Sequence, residues 1–224
     1  MIVKDFLYNE NEFGMNYKVF FPENYKDLPL LVYLHGAGER GKNIENLYRH
    51  GIPKLLNEGK EIAAVVLCPQ CPEQYVWDNV VEKTKKIIDR VAEEFEIKKD
   101  RICITGSSMG GFGTWMMAKT YPSFFSAAAP VAGGGMSWRT QKLVTTPILA
   151  IHGTADVTVP PIYSELMVNA VKDSGGNVEY IELEGYSHND GIDYAYRNTK
   201  LIDWILEKRR ENFEYVPEIC ESMF

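Results

Sequence analysis

Apolar and polar positions alternate along the chain in two rhythms. Short β-prone apolar runs recur at Tyr17–Phe21, Leu30–Leu34, Ile62–Leu67, Arg101–Thr105, Ala127–Val131, Ile148–Ile151 and Val178–Leu183. Between them lie segments with helical periodicity: Ile44–Asn57, Asn79–Phe95, Met109–Thr120, Pro161–Asp173 and Ile192–Glu207. Asn79–Phe95 is the clearest, with Val80, Ile87, Val91 and Phe95 on one face and charges between. Met109–Thr120 stops before Pro122, and Pro161–Asp173 runs into Gly175 and Gly176. The stretches 2–8 and 15–21 read as an antiparallel start, with Asn9–Gly14 as their turn. All runs but the first have the apolar density of strands buried on both faces. Strand and helix in alternation predict an α/β chain with a mostly parallel sheet of about eight strands and helices on both faces.

Length and composition narrow the class. A chain of 224 residues suits one well-buried core and is short for two, so a single domain over residues 1–224 is expected. The net charge of −7, with no strongly basic window, speaks against nucleic-acid binding. Lys208, Arg209 and Arg210 read as a solvated helix end, where positive charge suits the dipole. The first dozen residues carry acidic side chains and no sustained apolar run, and no stretch approaches bilayer-spanning length, so a cytoplasmic location without membrane insertion is expected. Cys68 and Cys71 form a C-P-Q-C; no second ligand pair accompanies them, and Pro72 opposes a redox helix, so a strand-end thiol and a loop thiol are expected. The tail Phe213–Phe224 keeps apolar residues that suit docking on the body or on a second copy in a homodimer.

The chemistry concentrates where strands end. Ser108 stands in Gly106-Ser107-Ser108-Met109-Gly110, between a strand-like and a helix-like run. G-x-S-x-G in that context is a turn that exposes a nucleophilic serine, with small neighbours because Cβ atoms would collide across it. A serine hydroxyl needs a base. Of His35, His50, His152 and His188, only His188 follows the last strand, where the chain order serine, acid, histidine puts the base. His35 is expected to be a structural hydrogen-bonding residue, His50 a surface residue, and His152 a shaper of the acid-bearing loop. Asp156, in the loop after Ile148–Ile151, is the expected acid. Asp173 belongs to a helix end, and Asp190 is too close in sequence to His188 to reach its far nitrogen. The backbone N–H groups of Met109 and Ala37 are the expected oxyanion donors, Ala37 within His35-Gly36-Ala37-Gly38. Gly36, Trp77, Trp138 and Arg40 are candidates for contact with substrate, with Met136 beside Trp138. No metal or organic cofactor is required.

Together, His35-Gly36-Ala37-Gly38, Gly106-x-Ser108-x-Gly110-Gly111, His152-Gly153-x-x-Asp156 with Val159-Pro160, and Gly185-x-x-His188 resemble the phospholipase/carboxylesterase-like branch of the α/β hydrolases. Ala37-Gly38-Glu39-Arg40-Gly41 and Cys68-Pro69-Gln70-Cys71-Pro72 are similar to small esterases grouped with polyhydroxybutyrate depolymerases, feruloyl esterases and predicted peptidases. The resemblance covers roughly residues 15–208. It implies the α/β-hydrolase fold and a serine carboxylesterase acting on a small-molecule ester with a short acyl or aryl group, hydroxycinnamoyl and acetyl esters of plant polysaccharide among them. A peptidase of the same fold and a non-catalytic binding protein are the competing readings. Residues 132–146 are too few for a lid domain between the strands they join, so an open site without interfacial activation is expected.

Overall fold

The computed structural model describes residues 1–10 and 13–211. Within them, eight strands form one sheet: β1 (Ile2–Glu10), β2 (Phe13–Phe21), β3 (Leu30–Leu34), β4 (Val65–Pro69), β5 (Ile102–Ser107), β6 (Ala127–Val131), β7 (Ile148–Gly153) and β8 (Val178–Leu183). Their spatial order is β1-β2-β4-β3-β5-β6-β7-β8. β1 and β2 pair antiparallel, β2 meets β4 antiparallel, and the pairs from β4 through β8 are parallel. The helices are α1 (Gly51–Asn57), α2 (Val81–Glu94), α3 (Met109–Thr120), α4 (Ile162–Asp173), α5 (His188–Asn198) and α6 (Leu201–Glu207).

The two sheet faces support two cores. Val32, Leu34, Leu67 and Ile104 pack with Ile87 and Val91 of α2, Trp115 of α3 and Met167 of α4. Leu31, Tyr33, Val66 and Ile151 pack with Ile52 of α1, Ile192 and Tyr196 of α5 and Ile205 of α6. Successive residues of a strand thus serve opposite cores, which is why β3 to β7 are buried throughout and mostly apolar. This is the α/β-hydrolase architecture. Residues 132–147, between β6 and β7, carry only a short 3-10 stretch, Thr140–Leu143, and no lid domain.

Several boundaries depart from expectation. β8 is an edge strand with exposed Glu179 and Glu182, not a strand buried on both faces. The segment 44–57 is two pieces, a 3-10 stretch (Ile44–Arg49) and α1, broken where His50 adopts extended backbone. The segment 192–207 is likewise two helices, interrupted by extended Thr199, and the first begins already at His188. Ile62–Ala64 precedes β4 instead of opening it. Arg210 is not solvated: it is buried, and its guanidinium donates to the Phe125 carbonyl at 2.6 Å. The turn expected at Asn9–Gly14 is shorter, since β1 runs to Glu10 and β2 starts at Phe13; its residues 11 and 12 lie outside the described residues. So do the tail Phe213–Phe224 and Cys220. No helix among the described residues is long and apolar enough to cross a membrane.

Candidate active site

β5 ends at Ser107 and α3 starts at Met109, leaving Ser108 as the single residue of the turn, at φ 56° and ψ −121°. That region is costly for a residue with a Cβ, about 1–3 kcal/mol. The surrounding backbone imposes it. A Cβ on Gly110 would lie 1.8 Å from the Leu34 carbonyl oxygen, and one on Gly106 would lie 2.4 Å from the Gly110 carbonyl oxygen. The turn is therefore wedged between β3 and the first turn of α3, and the Ser108 N–H donates to the Val131 carbonyl at 3.0 Å. Ser107 faces the other way, 3.0 Å from the Tyr33 hydroxyl in the core.

Asp156 and His188 follow the ends of β7 and β8, so all three side chains gather at one edge of the sheet. Ser108 Oγ lies 2.9 Å from His188 Nε2, and His188 Nδ1 lies 2.6 Å from Asp156 Oδ2. A carboxylate only accepts, so Nδ1 carries the ring hydrogen and Nε2 presents a lone pair to the serine. Asp156 is 3% exposed and receives four donors. Its Oδ1 accepts the N–H groups of Thr158 and Val159, both at 2.9 Å. Its Oδ2 accepts His188 and, at 3.2 Å, His152 Nε2.

His152 anchors the acid loop as expected. Its Nε2–H donates to the Val159 carbonyl at 2.8 Å, and its Nδ1 lies 2.7 Å from the Ser164 hydroxyl, which reaches the Gly133 carbonyl at 2.7 Å. Burial lowers the His152 pKa below the usual histidine value. His35 is also buried and structural. Its Nδ1 hydrogen-bonds the Gly36 carbonyl at 2.5 Å and its Nε2 accepts the Cys71 N–H at 2.9 Å, and burial pushes its pKa down to about 4. Cys68 and Cys71 are buried free thiols, one ending a strand and one in the following loop. Among the described residues, no cluster of three His, Cys, Asp or Glu side chains is arranged to hold a metal ion.

A cavity of about 310 Å³ opens on Ser108 and His188, and Gly36 and Ala37 form part of its wall. Ala37 begins a 3-10 turn and Met109 begins α3, positions whose N–H groups have no acceptor within their own helix. Of the remaining substrate-contact candidates, none lines this cavity. Trp77 is 1% exposed; its indole N–H donates to the His35 carbonyl at 3.0 Å, and its ring meets the His35 ring edge-on, so it supports the loop from behind. Arg40 donates to the carbonyls of Ala37 and Tyr75 and so ties the loop to its neighbour. Trp138 projects outward, with the Arg139 guanidinium 5.4 Å from its ring. Met136 lines a different cavity, of about 230 Å³, with Phe112, Trp115 and Tyr163.

His50 was expected at the surface, yet it is half-buried and lines the Ser108 cavity, as does Glu39. Neither is singled out by the sequence, because nothing local in it shows that the break at His50 brings that residue to the cavity wall. Ser164 was missed too. Its position on α4, packed against the loop after β6, is a tertiary fact.

The sequence profile of the Phospholipase/Carboxylesterase family matches residues 69–193. The bifunctional acetylxylan esterase/xylanase of Neocallimastix patriciarum is 28% identical over 151 residues, 64% of this chain and 22% of that protein. An acetylxylan esterase of Coprinopsis cinerea is 26% identical over 141 residues, 56% of this chain and 37% of that protein. The chain thus matches well under half the length of these curated relatives. Among solved structures, a thermostable esterase superimposes with a TM-score of 0.81 at 28% identity, covering 93% of this chain and 63% of that one. The feruloyl esterase module from Clostridium thermocellum, solved with sinapinate, gives 0.72 at 14% identity over 96% of this chain and 91% of that one, a likeness of fold.

Proposed function

The chain belongs to the phospholipase/carboxylesterase family of α/β hydrolases, and from that premise we propose that it is a serine carboxylesterase in which Ser108 is the nucleophile, His188 the base and Asp156 the acid. The observation that carries this reading is the unbroken path from Asp156 Oδ2 through the His188 ring to Ser108 Oγ, with contacts of 2.6 and 2.9 Å, on a strained turn open to a cavity.

Ser108 Oγ attacks the ester carbonyl carbon while its proton passes to His188 Nε2. Asp156 holds the ring in the tautomer that can accept this proton, and it stabilises the imidazolium that results. The Met109 and Ala37 N–H groups stabilise the tetrahedral oxyanion. The C–O bond to the alcohol then breaks, and His188 returns its proton to the departing oxygen. Water, deprotonated by His188, attacks the acyl-enzyme, and Ser108 leaves with the proton. No step calls for a metal or an organic cofactor.

The substrates are small carboxylic esters with short acyl or aryl groups. Acetyl and hydroxycinnamoyl esters of plant polysaccharide are the first to test, since acetylxylan esterases are among the relatives and a feruloyl esterase shares the fold. The test is a fluorophosphonate probe applied to wild type and to Ser108→Ala, followed by a panel of acetyl, feruloyl and longer acyl esters with a peptide amide. Labelling lost in Ser108→Ala, with ester turnover, supports the reading. Labelling retained in Ser108→Ala overturns the assignment of the nucleophile, and an unlabelled wild type overturns catalysis itself.

A further inference from the structure

The Ser108 turn has a cavity on each face of the sheet. The one that holds Ser108 and His188 is lined by Ile192 and lies on the face covered by α1, α5 and α6. The one of about 230 Å³ is lined by Trp115 and Met167 and lies on the face covered by α2, α3 and α4. Phe112 brings this second cavity up to the nucleophile. Its N–H donates to the Ser108 carbonyl at 3.1 Å, so the two residues are one helical turn apart, and a helical Cβ leans toward the N-terminus, which here is Ser108.

The second cavity is held open by packing. From Val131, whose carbonyl accepts the Ser108 N–H, the chain passes closely over α3 and α4. A Cβ on Gly133 would lie 2.7 Å from the Phe112 nitrogen, and one on Gly134 would lie 2.6 Å from Tyr163 Cβ. The Lys119 ammonium fixes the next stretch by donating to the carbonyls of Met136 at 2.8 Å and Trp138 at 3.2 Å. The Phe112 and Tyr163 rings meet edge to face with centroids 5.8 Å apart, and Met116, Met136 and Met167 add thioethers to the wall. Ring edges and polarizable sulfur favour an aromatic guest. A cavity of about 150 Å³ is enough for benzene, so this one has room for a ring and a short spacer.

Which part of a substrate comes here follows from the tetrahedral carbon on Ser108 Oγ. Its oxyanion faces the Met109 and Ala37 N–H groups, and its leaving oxygen must meet His188 Nε2 to be protonated. The acyl substituent takes the remaining direction, away from His188. One helical turn is about 5.4 Å, close to the reach from an ester carbonyl through a two-carbon spacer to the centre of a ring. We infer that the cavity beside Phe112 is the acyl subsite and that it selects an aromatic ring carried two carbons from the carbonyl, with Phe112 and Tyr163 as the specificity-determining residues. This inference rests on the reading of Ser108 as the nucleophile of an ester hydrolase, and within that reading it favours aryl over short acyl groups.

The test compares kcat/KM for three methyl esters: propanoate, 3-phenylpropanoate and 3-cyclohexylpropanoate. Their saturated spacers keep the three carbonyls alike in reactivity. Wild type is expected to prefer the phenyl ester over the propanoate by about tenfold or more, the scale of burying part of a phenyl ring. It is expected to prefer the phenyl ester over the cyclohexyl ester several-fold, the scale of aromatic contacts beyond burial. Phe112→Ala and Tyr163→Ala should each shrink the phenyl-to-propanoate ratio several-fold. Both side chains are partly exposed, so neither substitution leaves a sealed void, and because the readout is a ratio, partial loss of folded enzyme does not move it. A wild-type ratio near one, or a ratio unchanged in both variants, overturns the subsite. A cyclohexyl ester turned over as fast as the phenyl ester overturns its aromatic selectivity. In either case ester turnover with a fluorophosphonate adduct at Ser108 leaves the hydrolase reading standing. If no ester is turned over and no adduct forms at Ser108, the hydrolase reading falls and takes the subsite with it.

Discussion

The turn at Ser108 and the loops that carry Asp156 and His188 face each other across a few ångströms, but different forces hold them. The turn is a steric construction. Gly106 and Gly110 leave room for backbone to pass backbone, and the α3 helix and the β3 strand close on either side. Its only exchangeable side chain is the serine itself. The loops that carry Asp156 and His188 are a polar construction. Asp156 is saturated by four donors, and His152, Ser164 and the Gly133 carbonyl form a second tier behind it. Sterics act all or none, whereas hydrogen bonds are lost one at a time. Substitutions on the two sides should therefore fail in different ways.

The largest effect is expected at Gly110→Ala. Its Cβ would sit 1.8 Å from one backbone oxygen and 2.8 Å from another, and neither can yield as a side-chain tip can. The variant should be unfolded or destabilised by more than about 4 kcal/mol, read as a collapse of the urea midpoint. A midpoint near wild type would show that the turn is not sterically wedged. Asp156→Asn probes the polar side. An asparagine oxygen can still accept the N–H groups of Thr158 and Val159, so the urea midpoint should stay close to wild type. The imidazole loses the partner that fixes its tautomer, and kcat should fall on the order of 10⁴-fold. Stability and activity would thus part company at Asp156 where they fail together at Gly110.

The loop bearing the expected oxyanion donor Ala37 sharpens the contrast through pH. Burial lowers the His35 pKa to about 4, so its stabilising contribution is present above the usual histidine value of 6.5 and is lost as pH falls toward 4. Burial raises the Glu39 pKa to about 7, so its contribution is present below the usual 4.5 and is lost as pH rises through 7. Each spans about 3 kcal/mol, and they oppose one another over nearly the same window. Wild-type stability should hence vary little from these two groups between pH 4.5 and 7. Glu39→Gln should lose stability on acidification across that window, and His35→Gln should gain it. Urea midpoints of the three proteins at several pH values check this, and parallel curves would count against both assignments. The smallest effect is expected at Ser164→Ala. It removes the link from His152 to the Gly133 carbonyl, costing about 1–2 kcal/mol in urea denaturation, with a several-fold drop in kcat.

The steric half of the site was legible in the sequence to a degree the polar half was not. Glycines at fixed offsets around Ser108, between an apolar strand run and a helical run, are a local signal, and α3 has the boundaries read for it. Chain order placed His188 and Asp156, because each follows a strand that a short apolar run betrays. The supporting residues left no such trace. Ser164 acts from a helix packed beside the loop, and His50 stands at a break inside what reads as one helical segment. The packing of Trp77 and Arg40 left no such trace either. Their sequence neighbourhood places them at the catalytic edge of the sheet, but only packing shows that one is enclosed behind the His35 loop and the other is bonded to its carbonyls. The edge position of β8 did leave a trace, since Glu179 and Glu182 interrupt Val178–Leu183 where β3 to β7 carry no carboxylate, and the strand order puts it last.

Covalent chemistry at Ser108 is the point on which the rest depends. The most direct measurement mixes the enzyme rapidly with p-nitrophenyl acetate, quenches in acid during the first turnover and maps the protein by mass spectrometry. A stoichiometric burst of p-nitrophenol, with the acetyl group confined to Ser108 and absent from Ser108→Ala, is the predicted result. An acetyl group on another residue, or turnover of the ester with no acyl-enzyme formed, would contradict it.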